Sequence, residues 1–172
     1  MKALLIPLLV LTPVVYSQTR PGAERERPEI SAKRLMHAGA LVRGTGGVQI
    51  EIGRLRLHGD EGSVNTETGE VDVRGRAEVV LPARTDHTLF RYDHGALVTD
   101  KAVYVSADHL HVKNTMLTGS GHIRVRTADD SLMADGVEIS LTSADGRVSG
   151  NVLPARSGGS GVREWTPEII KQ

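Results

Sequence analysis

The sequence predicts an all-β fold, and three observations carry that reading. Apolar residues alternate with polar ones from Ile30 to about Val152, turn-forming clusters fall where the alternation stops, and the pattern occurs twice along the chain. Val48, Ile50 and Ile52 alternate with Gln49 and Glu51, and Val71 and Val73 alternate with Glu70, Asp72 and Arg74. In the second half Val105 and Leu110 precede Ile123 and Val125, which alternate with His122, Arg124 and Arg126. Val137, Ile139 and Leu141 alternate with Glu138, Ser140 and Thr142. A period of two places one apolar and one wet face on each strand, and β-branched residues dominate the apolar positions.

The chain opens on a short basic start, Met1-Lys2, and a 12-residue apolar run from Leu4 to Val15, followed by Val15-Tyr16-Ser17. This is the layout of a secretory signal peptide cleaved after Ser17. The run is shorter than the ~20 residues of a membrane span and is broken by Pro7 and Pro13. Residues 18–29 read as a charged, Pro-bounded flexible lead-in, and residues 30–153 as the β domain. Thr66-Glu67-Thr68-Gly69 and Ser143-Ala144-Asp145-Gly146 read as Gly-closed hairpin turns. Pro82 to Asp100, with the only Phe (Phe90), reads as one short hairpin and a loop. Residues 154–172 form a flexible tail, in which Thr166-Pro167-Glu168 can start a helical turn.

The two repeats align at an offset of 75. Ile30-Ser31-Ala32-Lys33-Arg34-Leu35 matches Val105-Ser106-Ala107-Asp108-His109-Leu110, and Gly44-Thr45-Gly46 matches Gly119-Ser120-Gly121. Both copies slip phase by one residue at the same place, which predicts a shared β-bulge. After two extra residues near Ala128-Asp129-Asp130 the offset becomes 77, with Leu55, Leu57, Gly59, Gly69 and Val71 matching Leu132, Ala134, Gly136, Gly146 and Val148. The fold is thus expected to be two similar β-repeats that complete one core.

Composition excludes several classes of function. With 21 basic and 21 acidic residues the chain lacks the basic face of a nucleic-acid binder. Zero Cys removes disulfide frameworks, Cys-based zinc sites and thiol catalysis. His109 and His111 share a strand face, with His122 expected on a neighbouring strand, but a metal site needs a further ligand beside them. Asp86-His87 and Asp93-His94 lack a Ser on a nucleophile elbow, and Gly119-Ser120-Gly121 reads as a turn. Asp129-Asp130 and Asp135 lack calcium-loop spacing, and Gly44-Thr45-Gly46-Gly47 lacks the Lys and helix of a phosphate loop. Arg54, Arg56, Arg74 and Arg76 read as a basic outer face. The chain is expected to be neither an enzyme nor a cofactor carrier.

The recurring phrase of an extended strand, an Ala-Asp-x-Leu step, a Gly-rich turn and a second alternating strand resembles the OstA-like family of lipopolysaccharide-transport proteins, of LptA/LptC type. The match lies in residues 30–35, Gly44-Thr45-Gly46-Gly47-Val48, Thr68-Gly69-Glu70-Val71 with Gly75, Val105 to Leu110, and Gly146 to Val152. Lys33 departs from the Asp of the phrase, and the tail with Trp165 has no counterpart. The resemblance implies a V-shaped, open antiparallel β-jellyroll in the periplasm that carries lipid A acyl chains in an apolar trough toward the outer membrane. Its implied partners are lipopolysaccharide or lipid A, other lipopolysaccharide-transport proteins, and further copies stacked head to tail.

On the alternation, the inner face of such a trough would be Val48, Ile50, Ile52, Leu57, Val71, Val73, Val105, Leu110, Ile123, Val125, Val137, Ile139 and Leu141. Each acyl CH₂ buried there gains ~0.8 kcal/mol. The open edges would be the first strand, with Ile30, Ala32 and Leu35, and the last, with Val148 and Val152. The alternative from the same residues is a self-associating exported β scaffold with a filled core and no lipid ligand.

Overall fold

The computed structural model describes residues 27–93, 95–143 and 145–155. They form eleven strands and no helix: β1 (Glu29–Ala38), β2 (Leu41–Ile52), β3 (Leu55–Asn65), β4 (Val71–Leu81), β5 (Thr88–Tyr92), β6 (Gly95–Thr99), β7 (Val103–Lys113), β8 (Met116–Arg126), β9 (Ser131–Ser140), β10 (Gly146–Ser149) and β11 (Leu153–Ala155). The signal segment, most of the lead-in and the tail with its expected helical turn lie outside the described residues.

One sheet contains all of them, in the order β1-β2-β3-β4-β7-β8-β9-β10-β5-β6, with β11 also paired to β9. Every pairing is antiparallel except β10 with β5, where Gly146 faces Phe90 and Arg147 faces Arg91. The alternation does what it predicts: in β4, Val71, Val73, Ala77, Val79 and Leu81 are buried while Arg74 points to water. The turn at residues 66–69 is held as expected. Asn65 Oδ1 accepts from the N–H groups of Glu67 and Thr68 at 3.0 Å each, and Gly69 adopts a φ of 73°.

A line of bulges crosses the sheet. Register shifts fall between every neighbouring pair of long strands, at Lys33, Gly46-Gly47, Asp60, Gly75-Arg76, Asp108, Gly121-His122 and Asp135. The same break separates β10 from β11 at Gly150-Asn151. Single residues thus alternate with Gly-X pairs from strand to strand. The single-residue sites are the phase slips: buried positions run Ala107 to Leu110 across Asp108, and Ala134 to Val137 across Asp135. Each Gly-X pair has its glycine at positive φ, and Arg76 and His122 share that region at 48° and 45°. The facing aspartates hold them: Arg76 Nε donates to Asp60 Oδ2 at 3.1 Å, His122 Nδ1 lies 2.7 Å from Asp108 Oδ2, and the Asn151 N–H donates to Asp135 Oδ2 at 2.9 Å.

The seam is a crease. An 11-residue strand such as β4 would span roughly 35 Å if straight. Yet Gly69, just before it, and Leu81, at its end, line one cleft. Each long strand therefore bends at its bulge, and the sheet folds into two facing arms. The first arm holds residues 29–32, 48–59, 77–81, 103–107, 123–134 and β11. The second holds residues 34–45, 61–74, 109–120 and 136–149, and the hairpin β5–β6 lengthens it. The apolar faces of both arms meet in one core, with Ile50, Leu57, Val79 and Val105 from one side and Val64, Val73, Leu110 and Ile139 from the other, all fully buried. Burying each such side chain contributes about 1.5–3 kcal/mol.

Three expectations are corrected here. The repeat offset stays at 75 throughout, because Asp60 and Gly75 occupy the seam positions of Asp135 and Gly150; the Gly69–Gly146 match that suggested 77 pairs a turn glycine with a strand residue. The last strand is not the simple edge expected. Hairpin β5–β6 adds outside Gly146-Arg147 and makes β6 the terminal strand of the second arm, while Val148 is buried and Val152 packs against the core. Finally, Leu141 falls beyond the end of β9, in the turn. At the other end, β1 pairs with β2 alone among the described residues, Leu35 is 42% exposed, and Ile30 and Ala32 pack on the core.

A Cβ on Gly121 would fall inside contact distance of Asp108 Oδ2, whereas one on Gly39, also at positive φ, meets nothing within 4 Å. Left-handed backbone alone costs a non-glycine residue about 1–2 kcal/mol. Gly121→Ala is therefore expected to lower stability more than Gly39→Ala in denaturant melts, and Asp108→Ala is expected to recover part of that excess. Equal losses for the two glycine variants would show that the seam contact is not a constraint.

Candidate functional site

The free ends of the two arms bound a cleft of about 950 Å³. The first arm contributes Ile52, Arg54 and Leu55 from the β2–β3 turn and Leu81 from the end of β4. The second contributes Thr68, Gly69, Val112, Asn114, Thr115, Leu141 and Thr142. The β4–β5 connection, residues 82–87, leaves the first arm at Leu81 and reaches the second at β5, so it straps the mouth. Arg84 on this strap donates to the Thr142 carbonyl at 3.4 Å and pairs with Asp86 at 3.3 Å. Below the strap, Phe90 and Thr88 are fully buried, with the Phe90 ring lying against Gly146, where a Cβ would clash with it.

Of the thirteen inner-face positions expected from sequence, eleven are buried side by side: Val48, Ile50, Leu57, Val71, Val73, Val105, Leu110, Ile123, Val125, Val137 and Ile139. They pack on one another, so the interior is closed rather than an exposed trough. Ile52 and Leu141 are the two that remain half-buried, and both open onto the mouth. The alternation also marks Val79, Leu81 and Val103, which complete the core but were not among the expected positions. Arg84 lies in a loop, where no periodicity points to it.

The outer face is neutralised rather than basic. Arg56 pairs with Glu51 at 3.6 Å, Arg74 with Asp72 at 2.8 Å and Arg76 with Asp60 at 2.5 Å, because the partners stand on the same or adjoining strands. The hydrogen bond from Arg76 lowers the Asp60 carboxyl, and that from Lys113 lowers Glu70. Partial burial pushes Asp72 up, but hydrogen bonds from His109 and Arg74 outweigh it and the net shift is downward. His109 and His111 do share a face, with His109 Nε2 2.5 Å from Asp72 Oδ2. Among the described residues no three His, Cys, Asp or Glu side chains are arranged to hold a metal ion. Ser120 is the cross-strand partner of His109, and no hydrogen bond joins them among the described residues. His94 lies outside the described residues.

The architecture has a structural counterpart. A crystal structure titled as LptH, the LptA homologous periplasmic component of the conserved lipopolysaccharide transport device from Pseudomonas aeruginosa, matches with a TM-score of 0.54. The two share a β-jellyroll fold. The match covers 86% of this chain and 98% of the LptH chain at 13% identity, so the likeness is one of fold. No protein-family model matches the chain, and no curated protein sequence does.

The hydrogen bond from His122 to Asp108 raises the imidazole above its ordinary 6.5. A raised folded-state value means that this pair adds stability below pH 6.5 and loses it as pH climbs through the folded value. NMR titration is expected to place His122 above 6.5 in the native chain and to bring it back to the ordinary value in Asp108→Asn. Identical titrations in both would remove the pair from the account of the seam.

Proposed function

We propose that the chain is a periplasmic component of lipopolysaccharide transport that holds the acyl chains of lipopolysaccharide or lipid A between its two arms. The observation that carries this reading is the mouth, where Ile52, Leu55, Val112 and Leu141 line a cleft between the arm ends and border the apolar core. The described fold, shared with a lipopolysaccharide-transport protein, supports it. Acyl chains would enter by parting the arms about the crease. Inner side chains then exchange apolar contacts with each other for apolar contacts with lipid, and the net gain is the acyl surface withdrawn from water, ~0.8 kcal/mol per CH₂. The complete burial of eleven inner positions favours the second reading, a scaffold whose core is filled by its own side chains.

A photo-reactive residue at Ile52 or Leu141, against outward controls at Arg124 and Glu138, separates the two in cells that make lipopolysaccharide. Lipid adducts confined to the mouth pair are the expected result. Protein dimers at the β1 edge without lipid adducts anywhere would favour the scaffold.

Head-to-tail stacking fits the repeat. Inside the chain, β4 of the first copy pairs with β7 of the second, and their register includes Glu78 opposite Ser106. Advancing one partner and withdrawing the other by the 75-residue repeat sets Leu153 opposite Ser31 of a second molecule. The outer rim of β11 has no strand on it among the described residues, whereas β5 already occupies β10 at Gly146-Arg147. The proposed joint therefore runs through the first arm. The chain contains no Cys, so Ser31→Cys/Leu153→Cys is expected to give a disulfide-linked ladder on oxidation while neither single variant goes beyond dimers. Failure of the double variant to exceed the singles would rule out this register.

A further inference from the structure

The mouth is apolar within and cationic at its rim, and the two cations are placed differently from the neutralised arginines nearby. Arg54 sits in the β2–β3 turn and has no ion-pair partner among the described residues, while Arg56, two residues on, is matched to Glu51. Arg84 projects from the strap into the cleft with its side chain 32% exposed. It spends one bond on a neutral carbonyl, that of Thr142, at the long distance of 3.4 Å. Its carboxylate partner, Asp86, is 79% exposed and stands on the same loop. Two guanidinium groups against one solvated carboxylate leave the rim net positive.

We propose that Arg54 and Arg84 form an anion-recognition pair that selects acylated lipids bearing phosphate on their head group. This rests on the reading that acyl chains enter between the arms, because a lipid so inserted leaves its head at the rim where the two arginines stand. Guanidinium binds phosphate through two parallel N–H donors, and that bond is stronger than one to a neutral carbonyl. Arg84 therefore gains by exchanging Thr142 for phosphate. The hydroxyls of Thr68 and Thr115 line the same rim and supply further donors. Free inorganic phosphate lacks the apolar half of the interaction and is not the ligand this arrangement fits.

The test is the ratio of affinities of the exported chain for lipid A carrying both phosphates and for the same lipid stripped of them. The native chain is expected to favour the phosphorylated form by about tenfold or more, as one or two charge-assisted bonds supply, and to lose the preference as salt is raised. Arg54→Gln and Arg84→Gln are each expected to cut the ratio severalfold, and the outward control Arg124→Gln to keep it, with circular dichroism confirming that each variant is folded. Equal affinity of the native chain for both lipids, or an unchanged ratio in both arginine variants, would overturn the pair while leaving acyl carriage standing. Displacement of the lipid by millimolar inorganic phosphate alone would also overturn it. No binding of either lipid by the native chain would overturn the carriage reading together with this one.

Discussion

The fold depends on a backbone constraint, a left-handed glycine on one strand facing an aspartate on the next. Strands of ten to twelve residues with one apolar face need a second layer, and the described residues offer neither a helix nor a separate sheet. The sheet must cover itself. A single strand can bend at any bulge, but a hydrogen-bonded sheet can bend only where all its strands do so at the same level. The aligned bulges from Lys33 to Gly150 meet that requirement, and positive φ at Gly46, Gly75, Gly121 and Gly150 makes each turn of the crease accessible. The facing carboxylates of Asp60, Asp108 and Asp135 take up donors that the broken ladder releases or exposes, so the same residues that spoil the regular sheet also complete it.

Part of this was legible in the chain. Burial on one face imposes a period of two, so Val71-x-Val73 and Val137-x-Ile139 announce the inner face, and a one-residue slip between Ala107 and Leu110 announces the bulge. What the period does not carry is curvature, since a flat and a creased sheet alternate identically. An offset of 77 matches glycines that are accepted for unlike reasons, in a turn at Gly69 and beneath an aromatic ring at Gly146. The acids of the seam, Asp60 and Asp135, carry the true offset of 75. The parallel seating of β5 on β10 rests on two residue pairs distant in the chain, and no local pattern encodes it. The charge balance of the outer face was equally hidden, because Asp60 meets Arg76 only across a strand pair.

A closed interior and a lipid carrier have the same inner residues, and the difference lies in what holds the arms together. The ion pairs along the crease are exposed, and exposed pairs contribute little. They shape the hinge without locking it. The arms are held by apolar packing throughout and, over the second repeat, by the strap with Arg84 on Thr142 and by the buried Phe90 of the hairpin. Over β1 to β3 no comparable bridge crosses the mouth among the described residues. If the arms part as proposed, the amino-terminal half, next to the β1 edge and where Ile52 and Leu55 meet the cleft, is the end with fewer bridges to break.

One departure from the seam pattern bears on stacking. Two of the Gly-X pairs lie between two acids and pair with one of them: Arg76 stands between Asp60 and Asp108 and pairs with Asp60, and His122 stands between Asp108 and Asp135 and pairs with Asp108. The last pair ends in Asn151, which is neutral, and Asp135 lies on its inner side. In the proposed joint the residue arriving on its outer side is Lys33 of the next molecule. An aspartate there would face Asp135 with no cation between them, whereas lysine balances it. Unpaired, the same Lys33 places a charge in the middle of an exposed edge strand, a position where charge discourages indiscriminate pairing. In the proposed stack one substitution in the repeat would therefore serve both states of the edge. It would make the free strand unattractive to most neighbours and the seam continuous with the one neighbour whose acid it matches.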